Sequence, residues 1–233
     1  MDTALPPCPQ IRCGCDVTDA ASVDQMVQNV VRQTGQIDLL VNNAGSALIG
    51  GAEESSIEQA QALFNVNVFG VMRATNAVLP YMRAQQSGRI INISSVLGFI
   101  PSPFAATYSA TKHAVEGHSE SLDHEMRSFG IRVVLVEPYF THTPSDLNAI
   151  GPDRSLRAYA ASRERASDNR KAYIAAGDAP ELVAETVLAA AISPAPQLRY
   201  ATSKNTRRVR LLRRFVPARI FDSSLRKQLG LPA

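Results

Sequence analysis

The sequence has few cysteines and no long apolar run. Its three cysteines, Cys8, Cys13 and Cys15, lie close together near the start. An odd number of cysteines, with no second cluster of ligands, argues against a disulfide framework and against a zinc site. No run approaches about 18 uninterrupted apolar residues, which argues against a membrane-spanning helix. The first ten residues, MDTALPPCPQ, hold neither a basic nor an apolar segment, so we expect no secretory signal and a cytoplasmic protein.

The bulk composition is that of a folded domain. The chain has 233 residues, of which 45% are hydrophobic and 19% are charged. This length suits one α/β domain with a large core, or at most two small domains. The formal net charge is +3, and basic residues crowd the C-terminal end. Because the charge is modest and no recognition motif is present, we expect no nucleic-acid partner.

Segments of strand type and helix type alternate along the chain. The segment SVDQMVQNVV places its apolar residues on one helical face, and Gly35 is suited to end that helix. Short apolar runs between turn residues predict buried parallel strands. The predicted strands are IRCGC, IDLLV, RIINIS, IRVVLVEP and LRYATS. This alternation predicts an α/β fold, a Rossmann-like doubly wound parallel sheet with helices on both faces.

Three further helices are predicted between the strands. Ser56 is placed to cap a helix that runs to about Arg83, with Gly88 ending it. A second helix carries Tyr108 and runs to about Gly130. A third has the sequence PELVAETVLAAAI, with its proline at the beginning, where helices tolerate proline best.

Polar residues follow the ends of the predicted strands. In doubly wound sheets, ligands bind outside the carboxyl ends of the strands. The polar residues at these ends are Asp16, Asn42, Asn43, Ser94 and Ser95, together with the segment that follows Pro138. This coincidence predicts a ligand site at that edge of the sheet.

Two segments place a lysine four residues after a tyrosine, YSATK at 108–112 and YATSK at 200–204. On a helix these positions share a face, and a nearby cation lowers the pKa of a tyrosine from its ordinary value of about 10. Tyr108 begins a predicted helix shortly after Ser95, so it suits a general acid/base. Tyr200 lies in a predicted strand, where the two positions are about 13 Å apart. We therefore interpret Tyr200 as a half-buried aromatic residue.

Five ordered motifs resemble the short-chain dehydrogenase/reductase family. They are NNAG at 42–45, the asparagine of NVNVFG at 67, INISS ending at Ser95, YSATK at 108–112 and VLVEP ending at Pro138. Their order and spacing match over about residues 11–204. The resemblance implies an oxidoreductase that uses NAD or NADP to interconvert a secondary alcohol and a carbonyl compound.

The resemblance implies catalytic roles for Asn67, Ser95, Tyr108 and Lys112. Tyr108 would exchange a proton with the substrate oxygen, and Ser95 would donate a hydrogen bond to that oxygen. Lys112 would lower the pKa of Tyr108 and hydrogen-bond the nicotinamide ribose. Asn67 would help hold a water that relays protons through Lys112. A second interpretation of Asn67, as a polar residue that kinks its helix, stays open.

The resemblance also implies a cofactor site. Asp16 would meet the adenine ring, and Asn42, Ala44 and Gly45 would lie along the adenosine side of the cofactor. Asn42 has a structural interpretation as well, as a link between neighbouring strands. The remaining expected cofactor contacts are Tyr108, Lys112, Pro138 and Thr143.

The sequence departs from the family at its start and at Tyr139. None of its 13 glycines forms the glycine-rich turn of the family, and the chain begins just before what resembles the third strand. We therefore expect the first βαβ unit to be missing, IRCGC to be separated from the sheet and IDLLV to present an open apolar edge. Tyr139 stands where the family usually has glycine, and it would either pack against the nicotinamide or crowd it.

We divide the chain into a Rossmann-like domain at 1–204, with a substrate lid at 139–178, and a basic amphipathic extension at 205–233. The lid would suit an anionic substrate, although solvated surface residues are the favoured explanation of its charge; its basic residues are Arg154, Arg157, Arg163, Arg165, Arg170 and Lys171. Because Pro217 interrupts the extension, we expect it to cover the domain or a partner subunit, and peripheral membrane contact is less favoured. We also expect a small-molecule substrate and a homo-oligomer.

Two other classes of function stay open. The chain could be a family member truncated at its N-terminus and deficient in cofactor, with a non-catalytic partner role or no activity. An epimerase or dehydratase that shares the Tyr/Lys pair is less expected, because those relatives generally carry a larger substrate domain.

Overall fold

The computed structural model describes residues 12–142 and 149–228. Strands and helices alternate along this part of the chain, as predicted. The strands are β1 (Leu39–Asn42), β2 (Gly88–Ile93), β3 (Ile131–Glu137) and β4 (Arg199–Ala201). The helices are α1 (Ala20–Thr34), α2 (Ile57–Phe64), α3 (Gly70–Gln85), α4 (Ala106–Met126), α5 (Ala160–Ala175), α6 (Pro180–Ile192), α7 (Lys204–Phe215) and α8 (Ala218–Gln228).

The four described strands form one parallel sheet in the order β1-β2-β3-β4. Successive side chains of a strand point to opposite faces. Ile90 and Val133 accordingly pack against residues of α1, α3 and α4, whereas Ile91 and Val134 pack against α6 on the other face. Burial on both faces explains why the central strands read as continuous apolar runs. The predicted α/β fold, a doubly wound Rossmann-like sheet, is confirmed.

The strand predicted from IRCGC is wrong for the residues that the structure describes. Residues 12–16 form no strand. Instead, the Asp16 carboxylate accepts hydrogen bonds from the N–H of Thr18 at 2.8 Å and from its hydroxyl at 2.7 Å, which makes a turn before α1. Arg73 of α3 donates to the main-chain oxygen of Val17. A strand needs a neighbour to satisfy its backbone groups, and this segment is held against α3 rather than beside β1.

β1 is an edge strand of the described sheet. It pairs with β2, and the side chains of Leu39 and Val41 are 41% and 37% exposed. In the described residues, IDLLV thus has the open apolar edge that the sequence predicts. An edge of this kind presents unpaired backbone groups to which a further strand can add.

Two predicted helix ends are confirmed and a third differs. α1 ends at Gly35 with φ 79°, and the helical segment after α4 ends at Gly130 with φ 70°. α3 ends instead at Gln86, which takes the left-handed conformation at φ 53°. Gly88 is the first residue of β2, and a Cβ there would lie 2.5 Å from the sulfur of Met82. Close packing, not the helix end, requires glycine at this position.

A π-helical turn at Asn65–Phe69 joins α2 to α3. Ser56 caps α2 as predicted, because its hydroxyl accepts from the N–H of Gln59. The helical stretch thus runs from α2 through this wider turn to the end of α3, close to the predicted end at about Arg83. Such turns occur often at functional sites, and this one contains Asn67.

The C-terminal extension forms α7 and α8, which are separated at Pro217 as the sequence predicts. Val209 and Phe221 pack against the buried cluster that follows β2, so the extension covers the domain. Leu211 and Phe215 are 58% and 72% exposed on the outer side. Within residues 12–142 and 149–228, no helix is long and apolar enough to cross a membrane.

Candidate active site

A cleft of about 710 Å³ lies at the carboxyl ends of the central strands. Asn43 lines it directly after β1, Ser94 and Ser95 line it after β2, and Pro138 lines it after β3. The site predicted from polar residues at the strand ends therefore corresponds to a real cleft, at the position where doubly wound sheets bind ligands.

Tyr108 and Lys112 lie one turn apart on α4, and both line this cleft. The ammonium of Lys112 is 5.7 Å from the centre of the Tyr108 ring. Its Nζ donates to the main-chain oxygen of Ile93, at the end of β2, over 2.8 Å. Lys112 is only 8% exposed, whereas Tyr108 is half-buried. The helix spacing thus holds a buried cation beside a phenol that faces the cleft.

Ser95 enters the same cleft from the segment between β2 and α4. Its side-chain oxygen accepts a hydrogen bond from the N–H of Leu97 over 3.2 Å. A hydroxyl that accepts one bond keeps its own proton to donate. The N–H of Val96 donates to the main-chain oxygen of Pro138 over 2.9 Å, which ties the end of β2 to the end of β3. Ser95 is therefore held by backbone contacts on both sides.

Asn67 is buried behind the cleft and does not line it. Its Oδ1 accepts from the N–H of Ser46, and its Nδ2 donates to the main-chain oxygen of Ser46 and to the hydroxyl of Thr111. The Thr111 hydroxyl in turn donates to the main-chain oxygen of Tyr108 over 2.7 Å. This chain of contacts joins the loop after β1 to the turn of α4 that carries Tyr108.

Sequence reasoning missed Ser46 and Thr111. Thr111 lies within YSATK, immediately before Lys112, so the motif itself could have indicated this residue. Ser46 follows NNAG directly, but it acts mainly through its backbone, which its residue type does not reveal.

Asn42 is confirmed as a link between neighbouring strands. Its Nδ2 donates to Oδ1 of Asn92 on β2 over 2.8 Å and to the hydroxyl of Thr75 on α3. Asn92 continues the network by donating to the buried hydroxyl of Ser119 on α4. The Asn42 amide is thus engaged inside the domain and does not line the cleft.

The other expected cofactor residues fall in different places. Gly45 lines the cleft, and Ala44 is exposed beside it in the same loop. Asp16 is exposed in the turn before α1 and does not line the cleft; the side-chain and backbone hydrogen bonds from Thr18 lower the pKa of its carboxyl. Thr143 lies outside the described residues.

Tyr139 forms part of the cleft wall. Its ring packs edge to face on Phe140, with centroids 5.2 Å apart, and Phe140 stacks on Tyr173 of α5 at the same distance. Burial raises the pKa of the Tyr139 phenol, which keeps it neutral. The tyrosine that replaces the family's glycine is therefore fixed in an aromatic group between β3 and α5.

The basic residues of the expected lid divide by position. Arg170 lines the cleft. Arg163 pairs with the fully buried Glu54, which also accepts from the N–H of Leu156. Burial alone would raise the pKa of Glu54, but these hydrogen bonds and that from Gly51 lower it. Arg163 therefore has a structural role, whereas Arg170 lines the cleft.

Tyr200 lies in β4, as predicted, and does not line the cleft. It packs with the cluster on the α6 face of the sheet, and its hydroxyl accepts from the N–H of Gln197. In the described ranges no three His, Cys, Asp or Glu side chains are grouped in a way that could hold a metal ion. Cys13 and Cys15 are free thiols, and Cys8 lies outside these ranges.

Known proteins resemble the chain over most of its length. An uncharacterized oxidoreductase of Schizosaccharomyces pombe is 34% identical over 216 residues, which span 93% of this chain and 91% of that protein. The crystal structure of a short-chain dehydrogenase from Streptomyces avermitilis is similar with a TM-score of 0.72 and 31% identity, over 93% of this chain and 77% of that one. A short-chain dehydrogenase/reductase from Burkholderia phymatum, in complex with NAD, gives a TM-score of 0.73 at 26% identity, over 84% of this chain and 72% of that one.

The family model for short chain dehydrogenases matches residues 9–150, which include the three residues that converge on the cleft, Ser95, Tyr108 and Lys112. With this match and the long alignment to the yeast relative, the chain belongs to the short-chain dehydrogenase family.

Proposed function

We propose that this protein is an NAD(P)-dependent oxidoreductase that interconverts a secondary alcohol and a carbonyl compound. The observation that carries the proposal is the convergence of Ser95, Tyr108 and Lys112 on one cleft, with the ammonium 5.7 Å from the phenol ring. A hydroxyl donor, a phenol and a fixed cation are the groups that a proton transfer to oxygen requires. Membership in an oxidoreductase family supports the same conclusion.

In the direction of reduction, Tyr108 gives its phenolic proton to the carbonyl oxygen of the substrate. Ser95 donates a hydrogen bond to the same oxygen and stabilises the negative charge that develops on it. The phenolate that remains is stabilised by the neighbouring ammonium of Lys112. In the direction of oxidation, the phenolate removes the proton of the alcohol. The nicotinamide, when bound, supplies or accepts the hydride at carbon.

Asn67 acts in this scheme through position rather than contact with substrate. It fixes the backbone of Ser46 and, through Thr111, the turn of α4 at Tyr108. Proton transfer depends on the geometry of the donor, so a support of this kind affects the rate without touching the reacting atoms. The proton-relay water expected beside Lys112 would lie close to these groups.

The residues of the cleft fit one end of a dinucleotide. Lys112 and Tyr108 offer an ammonium and a hydroxyl to a nicotinamide ribose, and Pro138 and Gly45 border the same space. For the pyrophosphate, the sequence holds no glycine-rich turn, and β1 is the edge of the described sheet. The adenosine roles of Asp16, Asn42 and Ala44 therefore remain proposals, with Asn42 engaged in a strand link. Either NAD or NADP suits the nicotinamide end.

We also propose that residues 139–178 act as the substrate lid. Tyr139, Phe140, Thr141 and Arg170 of this segment line the cleft. The stacking of Phe140 on Tyr173 connects the start of the segment to α5, so the lid carries an aromatic wall rather than only charge. A neutral or apolar substrate is thus compatible with it, and Arg170 is the cation that this segment contributes to the cleft wall.

The test begins with calorimetric titration of the folded chain with NADH and NADPH, after circular dichroism has established its helical content. Micromolar binding, followed by turnover of a ketone with either nucleotide, is the expected result. A folded chain that binds neither nucleotide and reduces no ketone would overturn the proposal and favour a non-catalytic partner role.

A further inference from the structure

A second cavity, of about 280 Å³, adjoins the catalytic cleft and is lined mainly by apolar side chains. Its walls come from the segment before α4, from α5 and from the helix pair α7–α8. Its lining includes Ile100, Ala105, Ala166, Val209, Leu212 and Phe221. Its volume is close to the lower end of the range of about 300–1,000 Å³ that small-molecule sites occupy. We name it the apolar cavity.

The apolar cavity and the cleft share a wall. Val96, Leu97, Tyr139, Phe140 and Arg170 line both spaces. Val96 and Leu97 directly follow the proposed catalytic Ser95, so the cavity lies beside the reacting groups. A molecule with its oxygen at Tyr108 therefore has an apolar compartment within reach of its remaining atoms.

An ion pair between α7 and the end of β3 attaches α7, which forms part of the cavity wall, to the rest of the domain. Arg210 of α7 pairs with Glu137, whose side chain is 1% exposed and which immediately precedes Pro138. The guanidinium of Arg210 also lies 5.9 Å from the centre of the Phe99 ring. This anchor holds Val209 and Leu212, the neighbours of Arg210 on α7, over the cavity. The C-terminal extension in this way forms part of the cavity wall.

The positions of the polar and apolar side chains determine which ligand can occupy the cleft and the apolar cavity together. Arg170 is the charged side chain among the residues that line the apolar cavity, and it stands on the shared wall. Away from that wall, the lining is aliphatic and aromatic apart from two serines. A ligand with a polar head in the cleft and a hydrocarbon tail in the cavity satisfies both parts.

We propose that the apolar cavity binds the alkyl tail of the substrate, so that this protein acts on secondary alcohols and ketones that carry a hydrocarbon chain. This inference rests on the proposed function for the position of the substrate's polar head in the cleft. Binding of the tail in the apolar cavity is tested separately. Burial of apolar surface drives the interaction, at about fourfold in affinity for each methylene that enters the cavity.

The test measures binding without nucleotide, so that it does not depend on turnover. Calorimetry or displacement of a fluorescent fatty probe gives the Kd of each methyl ketone from 2-butanone to 2-decanone. We expect the affinity to increase about fourfold per methylene and then to level off where the cavity is full. An affinity that does not change with chain length would overturn the inference.

Two neighbouring leucines of α7 provide a matched pair of variants. Leu212 lines the apolar cavity and Leu211 does not, while the two residues are 41% and 58% exposed. Leu212→Trp fills space and is expected to weaken binding of 2-decanone at least tenfold, with 2-butanone unchanged. Leu211→Trp is expected to change neither. Equal effects of the two substitutions would overturn the inference.

A variant on a different helix controls for the effects of local repacking of α7. Ala166 is buried on α5 and lines the same cavity, and Ala172 lies exposed on the same helix. Ala166→Leu is expected to shorten the chain length at which the affinity levels off, whereas Ala172→Leu leaves it unchanged. A melting curve for each variant establishes that it is folded.

Turnover of the same ketones separates this inference from the proposed function. If binding depends on chain length but no ketone is turned over with either nucleotide, the oxidoreductase proposal is wrong and the tail site is supported. If ketones are turned over but neither their turnover nor their binding depends on chain length, the tail site is wrong and the oxidoreductase proposal is supported.

Discussion

The ammonium of Lys112 donates to the main-chain oxygen of Ile93 over 2.8 Å. Ile93 is the last residue of β2, and Lys112 lies one helical turn after Tyr108 on α4. The sheet backbone therefore fixes the cation beside the phenol. A hydrogen bond to a charged group in a buried position contributes about 1.5–3 kcal/mol, so the ammonium does not leave this position readily.

The first prediction concerns the proton donor. Tyr108→Phe removes the phenolic proton but keeps the ring, so we expect the rate of ketone reduction to fall about 10²–10⁴-fold. Tyr200→Phe is the matched control, because Tyr200 lies on the α6 face of the sheet and away from the cleft. Steady-state kinetics with one ketone compare the two. Similar losses in both variants would contradict the assignment of Tyr108.

The second prediction concerns the cation. Lys112→Met removes the charge that stabilises the Tyr108 phenolate, so the rate of alcohol oxidation should decrease, and its rise with pH should move to higher pH. Lys204→Met, in the other Tyr/Lys segment, should leave the profile in place because Lys204 is exposed at the start of α7. The measurement is kcat against pH for both variants. A lower rate with an unchanged profile would show that Lys112 acts only in binding.

The third prediction concerns the buried support behind the cleft. Asn67→Ala leaves the N–H and the main-chain oxygen of Ser46 without their side-chain partner. We therefore expect the free energy of unfolding to decrease by about 1–3 kcal/mol. Urea denaturation measures the change, and Gln61→Ala on the exposed side of α2 should stay within about 0.5 kcal/mol.

A double-mutant cycle tests the link from Asn67 to α4. Because Asn67 donates a hydrogen bond to Thr111, the effects of Asn67→Ala and Thr111→Val should not add. Strict additivity would argue against the connection from the loop after β1 to Tyr108.

Local and periodic signals account for the parts of the protein that the sequence predicts. β2 and β3 read as apolar runs because both of their faces are buried, as at Ile90 and Ile91. Tyr108 and Lys112 are placed correctly because helical spacing alone brings residues four apart onto one face. Ser95 follows from its position at the end of a strand.

Contacts between distant residues leave no such signal. Asn67 meets Ser46 and Thr111 across 21 and 44 positions, so neither partner is evident from spacing. Glu54 sits in the polar segment GAEESS, yet it is fully buried because Arg163, 109 positions away, pairs with it. The segment IRCGC is predicted as a strand from its place in the alternating pattern, but whether such a segment pairs depends on a neighbour, which its own sequence does not encode.

The fourth prediction concerns Asp123, a buried carboxylate near the end of α4. It accepts from Arg127, from Arg132 and from the N–H of Val133, and so joins α4 to the beginning of β3. Asp123→Ala should lower the free energy of unfolding by about 3 kcal/mol at neutral pH. Glu125→Ala, an exposed acid two positions later, should change it by less than about 0.5 kcal/mol.

The pH dependence of stability follows from the same carboxylate. Burial would raise the pKa of Asp123, but the hydrogen bonds from Arg132, Arg127 and Val133 outweigh it and lower the pKa below the ordinary value of 3.8. A lowered pKa in the folded state gives stability that is present above pH 3.8 and is lost as the pH falls through the folded value. The difference in stability between the protein and Asp123→Ala should therefore shrink in acid. A difference that stays constant down to the lowest pH at which both fold would contradict this.

The last prediction concerns the attachment of α7 through Glu137. Its carboxylate pairs with Arg210, and Arg199 lies 3.5 Å away, while the side chain itself is almost fully buried. Glu137→Gln keeps the shape but removes the charge, so α7 should detach more often. Because α7 is rich in arginine, trypsin reports the detached population, and we expect cleavage there to become about 10–100-fold faster. Glu120→Gln is the control, since Glu120 also pairs with Arg199 but is half exposed. Equal cleavage of the two variants would mean that the apolar contacts of Val209 and Phe221, rather than the ion pair, hold the extension on the domain.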